Sequence, residues 1–193
     1  MSYEQQPGTG EHNEYYAKYI RLVPDGDIIA ILATQLEDTL VPIRELTEEQ
    51  ARFAYAPGKW SLKEVLGHLA DTERVFAYRA LRIARGDTTP LASFDEKAYT
   101  PTGRFDERPL ASLLAELSAV RRATVALFAG LPAEAWQRFG TASENPVTVR
   151  ACAWIIAGHE LHHRNVLAQN YLPHLPPAHA ARHAAVAAPS GSD

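Results

Sequence analysis

The chain has 193 residues, 46% of them hydrophobic and 22% charged, with 19 Lys and Arg against 23 Asp and Glu and a formal net charge of -4. That is the balance of one globular domain. It excludes a nucleic-acid binder working by broad phosphate neutralisation, which needs a basic excess. The single cysteine, Cys152, excludes an internal disulfide scaffold or a Cys-rich zinc module. No apolar stretch approaches the roughly 20 residues that span a bilayer, and Met1-Ser2-Tyr3-Glu4-Gln5-Gln6 lacks the basic and apolar regions of a signal peptide. A cytoplasmic protein with no nucleic-acid or membrane partner is expected.

Residues 1–24 are polar and read as a ragged N-terminus, with a tyrosine cluster (Tyr15, Tyr16, Tyr19) able to dock on a core. Asp25-Gly26-Asp27 offers a helix start, and Ile28, Ile31, Leu32, Leu36, Leu40 and Ile43 repeat at helical spacing, with Pro42 shortening or kinking the end. Pro57-Gly58 breaks the chain. Ser61 and Glu64 then form a capping box for a second helix that stops at Gly86-Asp87. Residues 87–108 hold two prolines and a glycine and little periodicity, so they read as a long connection, with Phe94, Asp95 and Tyr99 as candidates to face a substrate.

Pro109 suits the first turn of a third helix carrying Leu110, Leu113, Leu114, Leu117, Val120, Val125 and Phe128. A short helical piece follows Pro132, and residues 139–147 read as loop. Thr148 caps a fourth helix running to about Tyr171. Four long helices with no convincing strand alternation predict an all-α four-helix bundle with a long crossover between helices 2 and 3. The domain is expected over residues 1–172, and residues 173–193, rich in Ala, Pro and His, as a mobile tail.

The strongest local signal is Gly158-His159-Glu160-Leu161-His162-His163-Arg164-Asn165. His159 and His163 stand one turn and about 40° apart, on the side that carries Cys152, Ile155, Ile156 and Val166, so both face inward. A lone inward histidine is most often a hydrogen-bonded core residue. Two at this spacing can share one cation. The run also matches H-E-x-x-H, with Glu160 in the general-base position. The protease reading fails on its third ligand: Val166 and Gln169 replace the metzincin Gly and His, and no glutamate follows Glu160.

A third ligand must come from elsewhere. His68 is the only other histidine before His159 placed in a predicted helix, on a polar strip with Glu64, Asp71 and Thr72. Three histidines from two helices with an open fourth position describe a catalytic-type site. His179 and His183, also one turn apart, are a competing pair in the tail, without a core to organise them. Cys152 reads as a buried structural cysteine rather than a reactive thiol.

The sequence resembles the DinB superfamily, particularly its YfiT-like members, from the first helix to about Tyr171. The resemblance rests on Tyr55-Ala56-Pro57-Gly58-Lys59-Trp60-Ser61 leading into Gly67-His68-Leu69-Ala70-Asp71, and on Gly158-His159-Glu160-Leu161-His162-His163. It implies a four-helix bundle with a long crossover, homodimers in many members, and a divalent metal such as Zn²⁺ or Ni²⁺ held by His68, His159 and His163. It also implies a small-molecule substrate. Family activities include thiol S-transfer from a low-molecular-weight thiol cosubstrate and metal-dependent hydrolysis. Asp71, Glu64 and Glu160 are the candidate carboxylates for orienting a ligand or relaying a proton. A non-enzymatic binding or stress-response bundle, with structural metal or none, is the third reading.

Overall fold

The computed structural model describes residues 3–178. Four long helices make the body: α1 (Ile28–Leu40), α2 (Leu62–Ala84), α3 (Leu110–Ala129) and α4 (Val149–Val166). Three of the four starts carry the side-chain cap their sequence suggests, while at α3 Pro109 takes the N-cap position with no side-chain bond. The Asp27 carboxylate accepts from the Ile29 and Ala30 amides, Ser61 and Glu64 form the capping box, and Thr148 Oγ1 accepts from the Ala151 amide at 3.0 Å. α1 ends before Pro42, at Leu40. α1 and α2 each pack against both α3 and α4, so the sequence-adjacent pairs α1/α2 and α3/α4 sit across the diagonals. The long connection between α2 and α3 joins neighbouring helices and contains a further short helix, Glu96–Gly103.

Three local readings are corrected. Residues 139–147, read as loop, form a hairpin of β1 (Phe139–Ala142) and β2 (Asn145–Thr148), closed by the pair Ala142↔Asn145. Its two loop residues, Ser143 and Glu144, both have positive φ (51° and 64°), as a primed turn requires. The N-terminal segment, read as ragged, is packed: Tyr3 stacks on Trp136 at 4.5 Å, and Ile20 and Val23 are buried. Pro173 and His174, placed in the tail, continue from Leu172 as a 3₁₀ turn (Leu172–His174), and the Gln50 side-chain amide reaches on to the Pro176 carbonyl. The remainder of the tail, with His179 and His183, lies outside the described residues.

The core has two apolar halves. One gathers Phe76, Ile83, Phe128, Trp136, Trp154 and Ile156; the other gathers Leu36, Leu62, Leu66, Phe105, Leu113 and Tyr171. Between them, at mid-bundle, lies a layer of buried polar side chains: Gln35, Thr39, His68, Thr72, Glu73, Arg121, His159 and Glu160. Buried polar groups must be paired, so this layer is where chemistry or charge pairing has to be explained.

Candidate metal centre

His68 comes from α2, and His159 and His163 from α4. In each helix the residue before the inward histidine (His68, His159) is a glycine against which a neighbouring segment packs closely. A Cβ at Gly67 would run into the Phe105 ring, and one at Gly158 into the backbone carbonyl of Tyr19. The ring nitrogens converge: His68 Nε2 lies 3.1 Å and His163 Nε2 3.2 Å from His159 Nε2, and one ligating atom from each of the three falls within 4.8 Å of the others. Tetrahedral ligands about 2.0–2.1 Å from zinc would lie about 3.3 Å apart, so the spacing suits a single shared cation.

The protonation state fits as well. Burial pushes the imidazole of His68 down to about 4. Burial, with the neighbouring His68 and His162, pushes His163 down to about 3, and His159 falls well below the ordinary range for the same chief reason. Neutral rings crowded nitrogen to nitrogen present lone pairs rather than charge, which is the ligand form of histidine. Thr72 Oγ1 lies 3.4 Å from His68 Nδ1, a contact that favours metal-side use of Nε2. Trp60 packs on His68 at 4.7 Å, and Tyr19 stands edge-on to His159 at 5.3 Å.

The three carboxylates offered as relays are engaged elsewhere. Glu160 is buried and faces away from the triad's meeting point into a charge network. Its Oε2 accepts from Gln35 at 2.6 Å and pairs with Arg121 at 2.7 Å, and its Oε1 accepts from Thr39 at 2.6 Å. Glu64 Oε2 accepts from the Ser61 amide at 2.8 Å, closing the capping box. Asp71 is half-buried beside Arg74 at 3.4 Å, and burial raises its carboxyl against the pull of that guanidinium. Cys152 is fully buried with its thiol pushed up to about 12, chiefly by desolvation, so it is no nucleophile.

Two clefts open beside the triad. One, of about 370 Å³, meets His159 and is walled by Tyr15, Tyr16, Phe76, Phe94 and Glu96. The other, of about 630 Å³, meets His163 and is walled by Tyr55, Trp60, Tyr171, Lys59 and His162. Lys97 borders both. Of the expected substrate-facing residues, Phe94 and Asp95 line the first cleft, whereas Tyr99 lines neither and is exposed, its ring 5.7 Å from that of Phe94. Glu96 and Lys97 were missed by sequence reasoning. The only available signal was their place in the first turn after the cap Asp95, whose Oδ1 accepts from the Lys97 amide at 3.0 Å.

Arg121 was also missed. It carries two parallel bonds to Glu73, at 2.9 and 2.8 Å, besides its pair with Glu160, and is 3% exposed. The neighbouring carboxylates hold its guanidinium charged against the opposing effect of burial.

Comparison with known proteins follows the same lines. The DinB superfamily model matches residues 31–167. The fold resembles that of YfiT from Bacillus subtilis, described as a probable metal-dependent hydrolase with an unusual four-helix bundle topology; the TM-score is 0.65 at 20% identity, covering 86% of this chain and 90% of that one. Among curated proteins no sequence matches the chain. Among the described residues no helix is long and apolar enough to cross a membrane.

Proposed function

The chain belongs to the DinB superfamily, and from that premise we propose that it is a divalent-metal-dependent enzyme transferring a low-molecular-weight thiol to an electrophilic small molecule. His68, His159 and His163 would hold the ion, Zn²⁺ or Ni²⁺. The observation that carries the choice of transfer is the pair of clefts meeting one triad, which gives two reactants separate approaches to a single point. A divalent ion held there supplies positive charge that favours the anionic form of a nucleophile.

The chain's own residues supply the rest. Burial keeps the three imidazoles neutral and available. Trp60 and Tyr19 flank them and limit water. Thr72, whose Oγ1 lies 3.4 Å from His68 Nδ1, would orient that ring. In the transfer the thiol sulfur forms a bond to carbon as the carbon–halogen bond of a haloarene breaks; halide leaves, and the thiol proton passes to solvent. Hydrolysis is the second reading, favoured by Glu96, a carboxylate residue among those that line the cleft meeting His159 and so a candidate base for water.

The test is product identity. Metal-loaded protein is given 1-chloro-2,4-dinitrobenzene with and without a thiol panel, with metal content measured in parallel. A thioether formed only with thiol and metal is expected. Equal conversion to the hydroxylated product with and without thiol overturns transfer in favour of hydrolysis.

A further inference from the structure

The two clefts differ in charge. The His159-side cleft includes Asp95 and Glu96 as well as Lys97. The His163-side cleft is lined by Lys59, Lys97 and His162 and by no carboxylate, in a chain of net charge -4. Neither Lys59 nor Lys97 has an ion-pair partner among the described residues; Lys59 lies only over the Tyr55 ring, 5.8 Å from its centroid. Lysines left without a counter-charge at the mouth of a cleft are available to a ligand.

Lys59 is also held in place by its backbone. Pro57 and Gly58 occupy the corner of a turn in which the Lys59 amide donates to the Ala56 carbonyl at 3.1 Å, and Gly58 has φ 74°, the conformation that corner demands. The next residue, Trp60, is fixed twice: its ring packs on His68, and its carbonyl accepts from the Tyr171 hydroxyl at 2.7 Å. The turn therefore ties the lysine to the triad through one residue. The aromatic walls Tyr55, Trp60 and Tyr171 suit a planar or apolar body. At the inner end, His163 Nδ1 is buried with no hydrogen-bond partner in the protein.

We propose that the His163-side cleft selects a carboxylate-bearing small molecule with an apolar, ring-sized body, its charge shared between Lys59 and Lys97. The assignment rests on the metal-dependent reading only in making this ligand a reactant; charge recognition by the two lysines does not need the ion. A carboxylate matches the donors present. Two separate ammonium groups, without an arginine fork or a nest of backbone amides, neutralise one delocalised anion.

The test uses 3-phenylpropionate and its neutral counterpart 3-phenyl-1-propanol as probes, titrated by calorimetry into metal-free and zinc-loaded protein. The carboxylate is expected to bind about fivefold more tightly than the alcohol at low salt, the preference shrinking as salt is raised. K59Q/K97Q should bring the two probes to equal affinity. R21Q/R122Q, which removes the same charge elsewhere, should keep the preference. Equal binding of the two probes by the unaltered protein, or a preference that survives K59Q/K97Q, overturns the proposal. A preference present without metal, in a protein that takes up no zinc, would sink the metal reading and leave the carboxylate assignment standing. A preference seen only with zinc and unaffected by K59Q/K97Q would assign the carboxylate to the ion instead and refute the lysines.

Discussion

His159 and Glu160 are adjacent in sequence and lie in the same buried layer, yet they belong to opposite kinds of polar site. Glu160 sits where every charge has an answer: Arg121 bridges it to Glu73, while Gln35 and Thr39 take up its oxygens. His159 sits where nothing in the protein answers: its Nε2 meets only the nitrogens of two more neutral rings. Removing Arg121 from the first group strands two buried carboxylates, so that network is committed to the fold. The second group carries no charge and loses little by losing a member, so it is free to hold something else. A helix that turns one residue inward to each purpose separates stability from chemistry by about 100° of rotation.

The contrast can be broken most forcefully at Arg121. Arg121→Met should strand Glu73 and Glu160 and cost about 3–5 kcal/mol in urea unfolding. Adding Glu73→Met and Glu160→Met should recover most of the loss, since a well-packed apolar layer is a fair substitute for a buried ion network. At the triad the expectation reverses. His163→Ala should lower zinc affinity by more than about a hundredfold, measured by competition with a chelator, because a ligand weighs more than the outer contacts whose loss costs 10–100-fold. The circular dichroism spectrum and the unfolding midpoint of the metal-free protein should barely move.

A pH series sharpens the same comparison. The folded-state values of His68 and His163 lie below the ordinary 6.5, at about 4 and about 3. The unfolded chain therefore binds more protons across that window, and the stability of the metal-free protein rises with pH through it. Acidification from pH 7 towards 4 should remove at least about 2 kcal/mol, read from unfolding at each pH. Bound zinc should leave the onset unchanged, since the unfolded chain's histidines set it, and should carry the loss on to lower pH, because the ion keeps the folded imidazoles unprotonated. The smallest expected effect is at Thr72→Val, which keeps the shape but removes the contact to His68 Nδ1. About a tenfold weakening of metal binding, with unchanged unfolding of the metal-free protein, would mark Thr72 as a positioning residue.

How much of this was legible depended on whether one stretch of chain carried the information. The four helices follow from apolar spacing and from caps such as Ser61 with Glu64, all local. His68, His159 and His163 were readable because two share a helix turn and the third sits within a resembling motif. The hairpin was hidden because its turn residues are Ser143 and Glu144 rather than the Asn-Gly type, and because Gly140 and Pro146 interrupt any alternation. Glu160 invited a catalytic reading because the pattern H-E-x-x-H is silent about Arg121, which lies on another helix. Lys59 and Lys97 belong to different connections, and only the folded chain brings them to one cleft.

The packing of Gly158 on the backbone of Tyr19 has a consequence in time. During synthesis the segment Ala17–Ile20 leaves the ribosome first among the described helices, yet the helix it covers is the last of the four to be made. Until that helix arrives, Tyr19 lacks the Gly158 surface its backbone lies against, and the cleft it lines beside His159 is incomplete. Such late, distant closure carries a larger loop entropy than contacts between neighbouring helices. The N-terminal segment is therefore the last piece to lock, and a protease added during refolding should find it open after α2 and α3 are already protected.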